Sequence, residues 1–168
     1  MTPDILAWIQ AATFLVIALT LIVYWLQLRA LQGQIAAARD GSRTQNLLAL
    51  VDYIQRPEHR KARRTLSSLR NKPLSEWTPE ERIDAEMACS AWDFVGIMLR
   101  ETDIPGATEL VTKTWRHSIY SCFEISRQLT LDLREIREPD FWDDFEWLAK
   151  KSTEGYVAID GKLRPKHD

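Results

Sequence analysis

The hydrophobic pattern of the chain opens with an apolar run from Ile5 to Leu28 that carries no charged side chain. As an α-helix rising about 1.5 Å per residue, this run would be about 36 Å long, enough to cross a hydrocarbon layer of ~30 Å. Its aromatic residues lie near the two ends, where interfacial residues of membrane helices are found: Trp8, Tyr24 and Trp25. The pattern therefore predicts a transmembrane anchor over residues 1–28.

An apolar run can also belong to a buried core helix or to a cleaved signal peptide. A buried core helix would show a polar face, whereas this run is apolar on all sides. A cleaved signal peptide would carry Lys or Arg before a shorter apolar core and a small-residue cleavage site directly after it. Here the chain begins Met-Thr-Pro-Asp, and the only Ala-x-Ala sequence, residues 36–38, lies well beyond the run. The residues therefore favour a retained spanning helix.

The charges on either side of the run predict its orientation. Asp4 is the only charged side chain before it, whereas Arg29, Arg39 and Arg43 follow it, with five more basic residues between positions 56 and 64. Because cytoplasmic flanks carry an excess of Lys and Arg, we expect the N-terminus outside and the C-terminal side in the cytoplasm.

Residues 29–43 predict a helical stalk that continues from the span. An apolar stripe recurs there at alternating spacings of four and three residues and contains Leu28, Leu31, Ile35 and Ala38. Two interpretations stay open: the stripe is the seam of a homo-oligomer, or it packs back on the protein's own domain. The sequence Asp40-Gly41-Ser42 predicts a break in the helix after the stalk.

Residues 44–151 predict a cytoplasmic bundle of about five helices, so the fold class is all-α. The expected helices cover residues 44–55, 58–70 and 78–100, a long run over 110–129, and a last helix that starts at Pro139-Asp140. The third begins with Thr78-Pro79-Glu80-Glu81, which has the spacing of a capping box. Residues 152–168 are expected to be a flexible tail.

The pattern predicts two further details of the bundle. The helix over 78–100 is expected to turn a set of mainly apolar residues inward, with Trp92 toward one edge: Ile83, Met87, Ala88, Ala91, Phe94, Val95 and Met98. The alternating Leu129, Leu131 and Leu133 suggest a short strand, but no second strand is evident to pair with it. We therefore expect helix or irregular structure there.

Charge is distributed unevenly along the 168 residues, although the net charge is only -2. The region 29–70 is basic and the region 132–144 is acidic. The best candidate binding residues are Arg60, Lys61, Arg63 and Arg64, which could hold lipid head groups or nucleic-acid phosphates, or pair with the acidic final helices. The pI of about 6.0 and the lack of an exposed aromatic platform argue against nucleic acid. Membrane lipid, or pairing within the domain, is the expected partner of this helix.

No sequence pattern indicates catalysis, a metal or a cofactor. His59 stands alone, and His117 and Glu124 are seven residues apart, which does not match the closely paired spacings of zinc sites. Cys89 and Cys122 lie in apolar helical patterns and are expected to be buried, reduced thiols. We therefore expect no enzyme, no metal and no cofactor.

Several segments resemble a group of small bacterial membrane-anchored helical proteins of unknown function. They are the span, RPEHRKARR, SEWTPEERIDAEMACSAWDFVGIMLRETDI and the TWRHSIY helix. The resemblance implies a helical cytoplasmic module in a bacterial inner membrane and identifies no site residue. The expected function is an interaction or scaffold module with a protein partner of unknown identity. The alternatives are a membrane-tethered effector or enzyme whose site is assembled between helices, and an oligomeric signalling or pore-forming assembly.

Overall fold

A computed structural model describes residues 3–102, 104–159 and 162–165. Within these residues there are five α-helices, which confirms the all-α fold class: α1 (Pro3–Gln55), α2 (Pro57–Ser68), α3 (Pro79–Glu101), α4 (Ala107–Ile136) and α5 (Asp143–Thr153). A 3₁₀ turn (Leu74–Glu76) precedes α3, and two short strands, β1 (Tyr156–Ile159) and β2 (Lys162–Pro165), follow α5. The chain divides into two compact units, residues 1–46 and residues 47–168.

The first unit consists of the greater part of α1. The predicted break at Asp40-Gly41-Ser42 is wrong, because the helix continues through it to Gln55. A glycine inside a helix costs only about 1 kcal/mol relative to alanine. Local contacts across this segment also favour the helix, since Thr44 donates a hydrogen bond to the Asp40 carbonyl (3.0 Å) and Arg43 lies 3.8 Å from the Asp40 carboxylate.

The second unit has a single apolar core built from the last turns of α1 and from α2 to α5. Helix α3 packs against α2, α4 and α5, and α4 also packs against α2 and α5. The largest fully buried side chains come from every one of these segments and include Ile54, Leu66, Trp92, Ile119 and Phe145. The domain therefore has a core of its own.

Helix α3 begins as predicted but turns a different face inward. Both hydrogen bonds of the capping box form between Thr78 and Glu81, at 3.2 and 2.7 Å. The predicted core residues Ile83, Met87 and Phe94 are exposed, Ile83 by 61%. Ala88, Ala91 and Val95 are buried as predicted, and the buried stripe extends from them to one side, where it contains Ala85, Cys89, Trp92, Gly96 and Leu99. Its small residues let three neighbouring helices approach, and periodicity alone does not reveal that preference.

Helix α5 is held at its N-terminal end by α3. The carboxylate of Asp93 accepts a hydrogen bond from the backbone N–H of Phe145 (2.9 Å), one of the groups that has no partner within the first turn of a helix. Arg100 forms an ion pair with Asp144 (2.5 Å), and the Trp142 indole donates to the Ser90 hydroxyl (3.2 Å). The expected start of this helix at Pro139-Asp140 is three residues too early, because Trp142 adopts a left-handed conformation just before Asp143.

Within the expected flexible tail, the described residues 152–159 and 162–165 include the end of α5 and two strands, whereas residues 160–161 and 166–168 lie outside the described part of the chain. Strands β1 and β2 pair in antiparallel fashion, with Tyr156 opposite Pro165, and Leu163 is buried. The guanidinium of Arg116 lies 3.6 Å from the centroid of the Tyr156 ring. The sequence between the strands is Asp160-Gly161, a dipeptide favoured in hairpins, so the chain carries a local signal for this element. Residues 129–136, in contrast, are helical as expected.

Candidate functional site

The first candidate site is the apolar surface of α1. From Ala12 onward this helix is long and apolar enough to span a membrane, and none of its most hydrophobic window is buried. Trp8, Tyr24 and Trp25 are all exposed, Trp8 by 77%. The guanidinium of Arg29 lies 5.1 Å from the centre of the Trp25 ring, so a charged group and an aromatic ring meet where the apolar run ends. Their role at a membrane interface stays a prediction.

The predicted oligomer seam lies on the same helix. Leu28, Leu31, Ile35 and Ala38 are all exposed, with about half of the Leu31 side chain (52%) accessible. The helix runs through all four positions without interruption. The seam therefore remains available as a contact surface, and its occupant stays a prediction.

The basic helix α2 begins at Pro57, one residue before the expected start, and its four candidate residues lie in different environments. Arg63 is buried, with 9% of its surface exposed. It donates a hydrogen bond from Nη2 to the Ile54 carbonyl (2.7 Å), and its guanidinium lies 5.2 Å from the Trp92 ring centroid. Burial lowers the pKa of Arg63, and the nearby charge of Arg60 lowers it further. Arg63 is thus a core residue that supplies a hydrogen-bond donor to a carbonyl in the last turn of α1.

Arg60 and Arg64 lie on the exposed side of α2 and meet Arg63 at a surface cavity of about 300 Å³. Ser67, one turn further along α2, and Ser118, on α4, complete its lining. We call this the arginine cavity. All three arginines come within one cavity because they lie three and four residues apart on one helix. Ser118 was not among the predicted site residues, since only the packing of α4 against α2 brings it there.

Lys61 belongs to a different environment. Its ammonium lies 3.8 Å from the carboxylate of Asp84 on α3, and the Thr65 hydroxyl donates to the same carboxylate oxygen at 2.8 Å. The arginine cavity therefore contains three of the four predicted basic residues, whereas Lys61 lines a neighbouring cavity with Arg60 and Arg64 and contacts Asp84 on α3.

The expected pairing of α2 with the acidic final helices is not seen among the described residues. Arg134 forms ion pairs with Asp143 (2.7 Å) and Glu146 (3.0 Å), and Arg100 forms one with Asp144. Lys150 also pairs with Glu146, which lies one turn before it on α5. The described partners of these α5 carboxylates therefore lie on α3, α4 and α5, and none lies on α2. Arg60 and Arg64 have no ion pair with any carboxylate that the structure describes.

The remaining candidates for chemistry are dispersed. His117 is exposed, whereas Cys122, five residues away on α4, is completely buried. His59 packs against Tyr53, with ring centroids 4.5 Å apart, and burial lowers its pKa. Both cysteines are free and buried, as expected, and burial raises the pKa of Cys122 to about 11. Among the described residues, no three His, Cys, Asp or Glu side chains are grouped so that they could hold a metal ion.

Comparison with known proteins places the chain in a family. No curated protein and no solved structure matches it. A family model, DUF4760, described as a domain of unknown function, matches residues 14–152 and so covers the second half of the apolar run, the stalk and the helical domain. Since that match includes most of the chain, the protein belongs to the DUF4760 family.

Proposed function

We propose that the protein is a single-span, membrane-anchored helical module that presents an interaction surface at the cytoplasmic face of a bacterial inner membrane. The observation that carries this proposal is the exposure of α1, where every side chain from residue 12 to residue 46 is exposed. Burial of apolar surface contributes about 25 cal/mol per Å², so such a helix gains strongly from entering a hydrocarbon layer. The spacing of Trp8 from Trp25 fits the thickness of that layer.

Two further features support the orientation and the interaction role. The basic residues that follow the span favour the cytoplasmic side for the domain. One polar group of the apolar run has a partner within the helix, since the Thr20 hydroxyl donates to the Val16 carbonyl (2.7 Å), and this lowers the cost of its insertion. The domain has a core of its own and a basic helix on its surface, as expected of a module that is tethered by one helix and binds lipid or a partner.

Topology labelling tests this proposal. The native thiols are buried, so a single cysteine introduced at Thr2→Cys, or at the exposed position Ser75→Cys, can be labelled with little background. A membrane-impermeant maleimide should label the Thr2→Cys protein in intact spheroplasts and the Ser75→Cys protein only after lysis. The full chain should also stay in the membrane pellet after extraction at alkaline pH, and a chain without residues 1–28 should be soluble. Labelling at both sites before lysis, or release of the full chain by alkali, would contradict the anchor.

The exposed stripe on the stalk supports a second candidate function, a homo-oligomeric membrane assembly. Cysteines at Leu31→Cys or Ile35→Cys should form disulfide-linked dimers in native membranes under mild oxidation. Ala36→Cys, on the other side of the same exposed helix, is the matched control and should crosslink much less. Equal crosslinking at positions 31 and 36 would indicate random collision and argue against a specific seam.

A further inference from the structure

The arginine cavity concentrates positive charge on one side of α2. Arg60, Arg63 and Arg64 line this cavity of about 300 Å³, and its other two lining residues are serines. No carboxylate of the described residues lines it. The Arg63 guanidinium is buried, whereas Arg60 and Arg64 are exposed, and like charges at this spacing repel one another.

Three other arginines of the domain are compensated by carboxylates of the chain, whereas Arg56, Arg70, Arg82, Arg116 and Arg127 have no ion pair with a described carboxylate. Arg134 binds two carboxylates, Arg100 binds Asp144, and Arg137 pairs with Glu86 at 3.2 Å. The domain also has enough acidic residues on its other faces to supply a partner, yet none of the described ones reaches Arg60 or Arg64. Arg60 and Arg64 differ from the other unpaired arginines because they lie one turn apart beside Arg63, and this concentration of like charge favours an external anion at the arginine cavity.

The chemistry of the lining indicates which anion fits. Guanidinium groups bind the oxygens of phosphate through paired N–H donors, and several of them together favour a group with more than one negative charge. The Ser67 hydroxyl already donates to the Arg63 carbonyl (2.8 Å), so the exposed guanidinium groups of Arg60 and Arg64 supply the main donors. A carboxylate offers two oxygens and a single charge, and would leave this set of donors partly unused.

We propose that the cavity between α2 and α4 binds a phosphate group through Arg60 and Arg64, with Arg63 and Ser118 forming its inner wall. This deepens the proposed function and rests on it where the source of the phosphate is a lipid head group. A free phosphate compound is the other source of the same chemistry. Arg63 acts here as a positioning residue, because its Nη2 group is already bound to the Ile54 carbonyl.

A second cavity on the other side of Arg60 and Arg64 is the natural comparison. It is lined by Pro57, Lys61 and Thr65 in addition to the two arginines, all of them from α2. There the carboxylate of Asp84 already engages both Lys61 and Thr65. Its negative charge would oppose an anion on that side, so Lys61 provides a matched control that carries the same charge on the same helix.

The first experiment measures binding of inorganic phosphate to the full chain in a non-ionic detergent by isothermal titration calorimetry at constant ionic strength. The wild type should bind, and Arg60→Gln/Arg64→Gln should bind at least about tenfold more weakly, because two charged donors are lost. Lys61→Gln should stay within about twofold of the wild type, since its ammonium already has a carboxylate partner. Both arginines are exposed, so the double variant should keep its fold, which circular dichroism checks.

Absence of phosphate binding to the wild type would overturn the proposal in its free-phosphate form. Equal weakening by Lys61→Gln and by the arginine variant would also overturn it, since that result indicates general surface charge rather than a site. This titration needs no bilayer, so it can fail while the topology labelling succeeds, or succeed while the labelling fails.

The second experiment tests the lipid source with the full chain in nanodiscs without free phosphate. Replacing part of the phosphatidylcholine by phosphatidic acid should slow amide hydrogen exchange in α2 of the wild type and of Lys61→Gln, but not of Arg60→Gln/Arg64→Gln. Such protection assigns the phosphate to a head group, whereas phosphate binding without it assigns a soluble ligand. Failure of both experiments would reject the site altogether.

Discussion

At the scale of single residues, Gly96 is where the packing of α3 against α5 leaves no room for a side chain. A Cβ at this position would overlap the Asp144 carbonyl oxygen and lie 2.7 Å from its carbon. The obstructing atoms belong to the backbone, so a rotamer change cannot relieve the overlap. Alanine is usually preferred to glycine inside a helix, but the tertiary contact reverses that preference here.

We therefore expect Gly96→Ala to lower the free energy of unfolding by about 1–3 kcal/mol, because α3 and α5 must separate to admit the methyl group. Urea unfolding followed by near-ultraviolet circular dichroism measures the change. Gly33→Ala and Gly41→Ala are matched controls, since a Cβ at either position meets no atom within 4 Å. A Gly96→Ala protein as stable as these controls would show that the two helices can shift apart without cost.

Asp93 is the second residue whose role depends on its surroundings. Burial raises its pKa, and the charges of Asp144 and Asp143 raise it further, although hydrogen bonds from the backbone of α5 oppose this. The ionised carboxylate is therefore less favourable in the folded domain than in the unfolded chain. Its contribution to stability is greatest below the unfolded carboxyl pKa of about 4 and is lost as the pH rises through the raised folded pKa.

The stability difference between the wild type and Asp93→Ala should consequently be larger at pH 4 than at pH 7, as measured by urea unfolding at both values. For Glu146→Gln, the stability difference from the wild type should have the opposite pH dependence and be larger at pH 7 than at pH 4. Contacts with Lys150 and Arg134 lower the pKa of Glu146, so its contribution is present at pH 7 and is lost on acidification. If the stability difference between the wild type and Asp93→Ala increased with pH, the pKa of Asp93 could not be raised in the folded domain.

At the scale of elements, Arg134 links the end of α4 to the start of α5. Its Nε donates to the Phe141 carbonyl (2.9 Å), while its two terminal nitrogens reach Glu146 and Asp143. Only the planar guanidinium can reach all three acceptors at once. This contact, with the Asp93 hydrogen bond from α3, determines where the last helix begins.

Arg134→Lys should therefore lower the free energy of unfolding by about 1–2 kcal/mol, toward the lower part of the range for charged hydrogen bonds because the side chain is partly exposed. Arg127→Lys on the exposed surface of the same helix should change it by less than about 0.5 kcal/mol. If urea unfolding showed that Arg134→Lys and Arg127→Lys changed the free energy of unfolding equally, the planar shape of the Arg134 guanidinium would not contribute to stability.

At the scale of the whole molecule, the two units differ in whether their apolar side chains are buried. Residues 47–168 bury theirs in a common core, whereas the side chains of residues 12–46 are exposed. The two thiols can be used to probe the core of residues 47–168. Cys89 on α3 and Cys122 on α4 are both completely buried, and burial raises the pKa of each.

We expect Ellman's reagent to react with Cys89 and Cys122 of the native protein slowly and at one common rate, because both thiols become accessible only when the domain opens. In denaturant both should react at once. The exposed thiol of a Ser75→Cys protein serves as the reference for unhindered reaction. Fast labelling of one native thiol would show that part of the core opens independently.

The sequence alone was sufficient to predict the all-α class, the apolar helix, the start of α2 to within one residue of Pro57, and the capping box at Thr78. Each depends on residues within a few positions of one another, through helical periodicity, proline geometry or hydrogen bonds within one turn. The hairpin also had a local signal in Asp160-Gly161. The predicted break at Gly41 shows the limit of such signals, because a weak local preference yields to the helix on either side.

Only the tertiary structure decided which side of α3 is buried, which basic residue of α2 enters the core, and that Ser118 joins Arg60 and Arg64 at one cavity. These features depend on atoms that lie many positions apart in the chain. Arg63 and Lys61 have the same charge on the same helix, yet one meets a free carbonyl and an indole ring while the other meets a carboxylate. Local periodicity orders residues along a helix, but the neighbouring helices determine what each side chain contacts.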